Sequence, residues 1–261
     1  MKKNHTIILT VSFLLSISFF KNVAAKEIIY LNGTGAAMSV MKIIAISFEK
    51  KNPSIQIKIS SAVAGSGGGI RGLLANKLDV AISARALKPD EQKQGLKQWV
   101  FARSAFVFAV SKKNTQESHL TLQKLVDIYS GKTIHWPDGN RLRLILRPKA
   151  DSDTLMLRAM SGSMDQAMTD QQCANMLESI EGSFSTSMLS LIIAEKRQLK
   201  VLPIDGVYPS HETVKNGSYP YHKKFRVITV TRPRASIQTF VNYLKSSEVV
   251  KILANNGSEA L

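Results

Sequence analysis

Two glycine-rich runs are the residues best suited to chemistry in this sequence: Gly33-Thr34-Gly35-Ala36-Ala37 and Gly65-Ser66-Gly67-Gly68-Gly69. Each follows a strand-like segment and opens a helix-like one. A helix N-terminus carries unpaired backbone N–H groups and a partial positive charge, so it attracts anions. Small residues let an anion reach that backbone, and Ser or Thr hydroxyls add donors. Glycine serves ordinary tight turns as well, so one such run would say little; two in adjacent units, both with a hydroxyl residue, point to an anion site.

Other chemistries find less support. Gly67, Gly69 and Gly72 match the spacing of a dinucleotide-binding fingerprint, with Asp90 and Glu91 about 20 residues on. They fall in the second strand–helix unit rather than the first, which argues against that use. The sequence has no phosphate loop ending in Gly-Lys-Ser/Thr and no Gly-x-Ser-x-Gly elbow. His119, His135, His211 and His222 form neither a helical i,i+4 pair nor a cluster with cysteine, so no metal site is expected. Cys173 is the single cysteine, which excludes an internal disulfide; a half-buried place on a helix is expected for it.

The elements around the glycine runs alternate. Residues 27–31 read as a strand, and 36–50 as a helix with Met38, Met41, Ile44, Ala45 and Phe48 on one face, stopped by Asn52-Pro53. Residues 55–60 alternate as a strand, 65–69 form a loop, 70–76 a short helix and 79–82 a buried strand. Such β-α-β-α-β order predicts parallel pairing, with both glycine runs at the carboxyl edge of one sheet.

Further along, strands are expected at 101–110, 142–146, 200–203 and 225–230. Helices are expected at 120–130, 154–160, 164–177, 187–194 and 236–254, and a loop at 208–221. The pattern divides into lobe 1 (26–109 with 226–261) and lobe 2 (110–225), with a ligand cleft between them.

Residues 1–25 carry a targeting signature: Lys2 and Lys3, an apolar run over 7–20, and small residues at 23–25. The run is too short to span a bilayer, and no cysteine follows it to take a lipid anchor. Export to the periplasm is therefore expected. The composition, 44% hydrophobic and 21% charged, suffices for an ordinary globular core. Net charge is +16, and +13 without Lys2, Lys3 and Lys21. That balance suits an anionic ligand or partner, or simply a solvated basic surface. No Lys/Arg cluster is interleaved with aromatics, so nucleic acid is not an expected partner.

At these residues the sequence resembles the phosphate-binding proteins of bacterial phosphate ABC transporters. The resemblance covers nearly the whole chain after residue 25, in order. It runs through the first glycine loop (32–38), the stretch 64–87 and Leu120-Thr121 with 127–132 and Trp136. Arg147 with Ser152-Asp153-Thr154, then 204–209 and 217–220, complete it. It implies an α/β, two-lobed periplasmic-binding-protein type II fold, with mixed, mostly parallel sheets and a two-strand hinge. It also implies a monomer that hands a small oxyanion to a permease in the inner membrane, without cofactor or catalysis.

The implied ligand-binding set is Gly35, Ala36, Ala37, Ser66, Gly67, Gly68, Arg147, Ser152 and Thr154, with Arg85 and Asp153 at positions that depart from the family pattern. The family's acidic residue after Ala-Ser falls on Ala84, and its middle glycine in Ser-Gly-Thr is Asp153. Either Arg85 joins the cleft while Asp153 restores the acceptor, or the two pair across it and the ligand differs. A partner-binding sensory or adhesive role and a periplasmic enzyme are the other function classes; no acid/base or nucleophile set favours the enzyme.

Overall fold

The computed structural model describes residues 25–114, 117–147 and 169–261. The expected 154–160 helix and the start of the 164–177 helix lie outside these residues.

The chain begins with the expected parallel unit. Strand β1 (Glu27–Gly33) leads to α1 (Gly35–Lys51), β2 (Ile55–Ile59), α2 (Gly65–Leu74) and β3 (Val80–Ser83). β1 lies between β2 and β3, parallel to both, with Leu31 opposite Ile59 on one side and Val80 on the other. Ile29 and Leu31 are fully buried while Tyr30 between them is 45% exposed, the period-two pattern of a sheet covered more heavily on one face. α1 covers that face, and Met38, Met41, Ile44, Ala45 and Phe48 are all buried as their spacing requires. α2 covers the other face, packing Ile70 and Leu73 on Ala81 and Ile228.

After the short α3 (Pro89–Lys93), β4 (Leu96–Ser111) runs for 16 residues, about 50 Å at ordinary strand rise. Its first part pairs antiparallel with β8 (His222–Val230), from Leu96 opposite Val230 to Ala105 opposite His222, with a bulge between Val100 and Ala102. From Phe106 onward its partners are β6 (Ser183–Met188) and β7 (Leu199–Leu202). β4 therefore carries the chain out of the first lobe and β8 brings it back, pairing with β3.

The second lobe contains α4 (Leu122–Tyr129), β5 (Arg143–Leu144), α5 (Asp170–Ser179), β6, α6 (Leu189–Ala194), β7 and α7 (His211–Lys215). α8 (Ala235–Tyr243), α9 (Ser247–Asn255) and β9 (Ser258–Ala260) close the chain, β9 on β4. The order β2-β1-β3-β8-β4-β6-β5 is a mixed sheet. The expected parallel pairing holds within β2-β1-β3 and for β5–β6. The pairings of the crossing strands are antiparallel and outnumber them among the described residues, because one strand leaves the lobe and the other returns.

Four local expectations are corrected. The second glycine run is not a loop: α2 starts at Gly65 and the glycines form its first turns. Residues 187–188 are strand, the end of β6, and helix begins only at Leu189. All six β6 residues are buried although four are Ser or Thr; Ser183 and Ser185 donate to the Leu177 and Ile145 carbonyls at 3.0 and 2.6 Å. Satisfying these two hydroxyls helps a polar sequence sit centrally in a sheet. The 208–221 loop contains α7, capped by Ser210, whose hydroxyl accepts from the Thr213 N–H. The C-terminal helical region is two helices broken at residues 244–246, each with its own start.

Candidate anion site at the α1 N-terminus

The glycine runs do a structural job first. A Cβ on Gly33 would lie 2.0 Å from the Ile82 carbonyl oxygen, so only glycine lets β1 end this close to β3. A Cβ on Gly69 would lie 3.1 Å from the Gly33 Cα, so the first turns of α2 rest directly on the β1–α1 junction. Asn32, buried, ties the two together. Its side-chain oxygen accepts from the N–H groups of Gly33 (2.7 Å) and Ala64 (3.2 Å), and its amide donates to the Ala62 carbonyl (2.9 Å). The starts of both helices are thus clamped side by side.

Neither helix start is capped by a side chain, and neither first turn contains an acidic residue. Thr34 spends its N–H on the Ile82 carbonyl at 2.9 Å. Ser66 accepts from the Ala84 N–H at 3.0 Å, leaving its own proton to donate. Ala36 and Ala37 are buried, and the Ala37 N–H turns back to the Thr34 carbonyl at 3.2 Å. The Ala36 carbonyl receives the Ser190 hydroxyl at 3.4 Å.

Two guanidinium groups stand over α2. A Cβ on Gly67 would lie 3.4 Å from Arg71 Nη1 and 3.9 Å from Arg85 Nη2, and one on Gly68 would lie 3.9 Å from Arg71 Nη2. Arg85 is held in a bidentate pair by Glu91, at 2.8 and 2.7 Å. The Arg85 hydrogen bonds and the Lys88 backbone N–H hold the Glu91 carboxyl at about 2, well below the ordinary carboxylate value. Arg85 therefore finds its carboxylate within its own lobe, on α3.

The second lobe supplies the opposite wall. Arg147 and Asp170 are both more than nine-tenths buried, with Arg147 Nη2 3.9 Å from Asp170 Oδ2. Asp170 is the first residue of α5, whose N-cap is Thr169 in a capping box with Gln172. This end of α5 meets the start of α1. A Cβ on Gly35 would lie 2.6 Å from Gln171 Oε1 and 2.7 Å from Asp170 Oδ2, and Gln171 Nε2 donates to the Gly35 carbonyl at 3.1 Å. Glu195 lies behind, bonded to the Ser39 hydroxyl and paired with Arg197. Two helix N-termini from different lobes, a buried guanidinium and a buried carboxylate thus share one place, which suits a small multivalent oxyanion.

Gly35, Ala36 and Ala37 open α1 where it meets α5, with Arg147 beside Asp170; Ser66, Gly67 and Gly68 open α2, whose start is tied to that of α1 through Asn32, with Arg85 near Gly67. Ser152, Asp153 and Thr154 lie outside the described residues. Sequence reasoning missed Asn32 as the tie and Asp170 and Gln171 as the facing wall. The Thr169-x-x-Gln172 capping signature marks the start of α5. Cys173, expected to be half-buried, is 1% exposed on α5, with Sγ 3.1 Å from the Ser185 hydroxyl. A cavity of about 420 Å³ lined by Trp136, Asp138, Glu178 and Glu181 lies elsewhere in the second lobe and holds none of the expected site residues. Among the described residues there is no cluster of three or more metal-ligating side chains, and no helix long and apolar enough to cross a membrane.

Comparison with known proteins agrees with this architecture. Residues 22–248 match the family profile described as the PBP superfamily domain. The chain is 24% identical to the phosphate-binding protein PstS of Borreliella burgdorferi, over 94% of this chain and 95% of that one. Its fold matches a Clostridium perfringens chain described as a phosphate ABC transporter substrate-binding protein with bound phosphate: TM-score 0.79, 20% identity, 90% of this chain and all of that one. It also matches a high-affinity periplasmic phosphate-binding protein solved with phosphate, at a TM-score of 0.68, 13% identity and 90% coverage of both chains. The chain belongs to the PBP superfamily and has its two-lobed type II fold.

Proposed function

We propose that this member of the PBP superfamily is a receptor that captures phosphate between its lobes and delivers it to an ABC permease in the inner membrane. The observation that carries the proposal is the meeting of the α1 and α5 N-termini at Gly35 beside the buried Arg147. An anion held there touches both lobes at once, so its binding energy favours the closed form over the open one, and a permease reads that difference. The names of the relatives, phosphate-binding over nearly the full chain, support phosphate as the oxyanion.

In this proposal the ligand is held by backbone N–H groups at Gly35, Ala36, Gly67 and Gly68, by the Ser66 hydroxyl and by Arg147. Ser152, Asp153 and Thr154 are further ligand contacts in this proposal, on the strength of the family resemblance alone. Arg85, engaged by Glu91 on α3, is not part of the grip on the anion. Residues 1–25 direct export to the periplasm and are removed, and the protein acts there as a monomer, without catalysis. The lobes are 26–109 with 226–261, and 110–225.

The test is calorimetric titration with inorganic phosphate together with a thermal melt. Phosphate at a hundredfold excess over its Kd should stabilise the fold by about 2.7 kcal/mol. Arg147→Ala should abolish both signals while the far-ultraviolet spectrum is kept. A melting temperature unmoved by millimolar phosphate in the parent protein would overturn the proposal.

A further inference from the structure

Arg226 stands apart from the other arginines that are not fully exposed. Arg85 pairs with Glu91, Arg103 with Glu259, Arg147 with Asp170, and Arg197 with Glu195 and Glu178. Arg226, half-buried on β8, has no carboxylate partner among the described residues; its Nη1 donates to the Lys224 carbonyl at 3.3 Å. Burial pushes its pKa below the ordinary arginine value, with no opposite charge to offset it. A guanidinium drawn partly out of water without a counter-charge is destabilising until an anion comes to it.

Its place in the sheet says where that anion would lie. Ile228 packs on Ile70 and Leu73 of α2, so by the two-residue period of a strand Arg226 and Lys224 lie on the α2 face as well. Arg103, opposite Lys224, shares that face and holds Glu259. Arg226 lies opposite Ser83, and the next residue, Ala84, donates its N–H to the Ser66 hydroxyl in the first turn of α2. Gly33 lies opposite Ile82, and Ile82 opposite Val227, so β1, β3 and β8 are successive strands here. Two strand spacings, roughly 10 Å, separate the backbone at Arg226 from the β1–α1 junction. The bond to the Lys224 carbonyl also directs the guanidinium along β8, not across β3 to α1. A single tetrahedral ion at Gly35 and Arg147 thus leaves Arg226 unused. An ion with two linked anionic groups can straddle the place where Gly69 abuts Gly33, one group toward each face of the sheet. Resting on the phosphate-receptor reading above, we infer a second anion subsite at Arg226 and Lys224, beside Ser66, which extends the ligand class from orthophosphate to condensed phosphates. Arg226 supplies a planar pair of donors for the second phosphoryl group, and the exposed Lys224 a mobile point charge.

Calorimetric titration of the purified protein with orthophosphate and with pyrophosphate tests this. The parent should bind pyrophosphate at least about tenfold more tightly than orthophosphate, the worth of one charge-assisted hydrogen bond. Arg226→Gln should lower the pyrophosphate affinity about tenfold or more and leave orthophosphate within about twofold. Lys245→Gln removes the same charge at an exposed position between α8 and α9 and should change neither, which separates a contact from the general field of a basic protein. Arg226→Gln weakening both anions alike, or neither, overturns the inference. So does an equal loss in Lys245→Gln, or a parent that binds orthophosphate at least as tightly as pyrophosphate. Should Arg226→Gln fail to fold, Lys224→Gln, at an exposed position, reads the same contrast. A parent that binds neither anion overturns the receptor reading itself. One that binds pyrophosphate through Arg226 and ignores orthophosphate upholds the subsite and overturns the phosphate assignment.

Discussion

The Gln171 side-chain amide donates to the Gly35 carbonyl at 3.1 Å, joining residues 136 positions apart and on different lobes. It is the hydrogen bond that seats the start of α5 on the start of α1, and the behaviour of the site follows from how little room that seating leaves.

Gly35→Ala places a methyl group within 2.7 Å of Gln171 Oε1 and Asp170 Oδ2. Two effects compete. Alanine favours helix over glycine by up to about 1 kcal/mol, which would stabilise α1. The clash acts only when the lobes meet. The expected outcome is a melting temperature that is unchanged or slightly raised, with phosphate affinity lowered at least tenfold. Melting and titration on the same preparation separate the two.

Asn32→Ala removes three hydrogen bonds at a site only 7% exposed. The Gly33 and Ala64 N–H groups and the Ala62 carbonyl lose this partner. At about 1 kcal/mol or more for each group left unsatisfied, a loss on the order of 3 kcal/mol is expected in urea unfolding. Asn32→Asp should recover part of it, since a carboxylate keeps both acceptor roles.

Glu91 provides a pH signature. Its folded value, about 2, lies below the ordinary 4.5, so its pairing with Arg85 stabilises the protein above pH 4.5 and that contribution fades as the pH falls toward 2. The pair is partly exposed, with side chains 31% and 17% accessible, which limits it to about 1 kcal/mol. Glu91→Gln should be less stable than the parent at pH 7 by that amount. The two urea midpoints should converge between pH 4.5 and 2.

Cys173 is buried on α5, with its Sγ against the Ser185 hydroxyl. A thiol reagent should leave the native protein unlabelled and modify one group per chain only in denaturant. Labelling of the native protein at the rate seen in denaturant would contradict the packing of α5 on β6.

Much of the first lobe was legible because its signals are local. The burial of Met38, Met41, Ile44, Ala45 and Phe48 repeats at the helical period. Ile55 and Ile57 alternate with more exposed neighbours, and Gly33 stands where a β-carbon cannot. The second lobe was less legible for equally local reasons. β6 is a core strand with Ser or Thr at four of its six positions, so its burial leaves little hydrophobic trace. The glycines of α2 look like a loop because glycine has a low helix propensity, and the close packing of Gly69 on Gly33 leaves no local signal.

By itself the sequence determined the alternation of strands and helices, the inner face of each, the glycine-rich starts of two helices and the basic balance of the chain. Only the tertiary structure decided that Asp170 and Gln171 face Gly35, that Arg147 stands beside them, and that Arg85 answers to Glu91. Periodicity reports which side of an element meets a core, because that is a property of neighbours in the chain. Which distant element supplies the other wall depends on where β4 changes partners and on the register at which β8 returns. Those registers are settled by the packing of both lobes together.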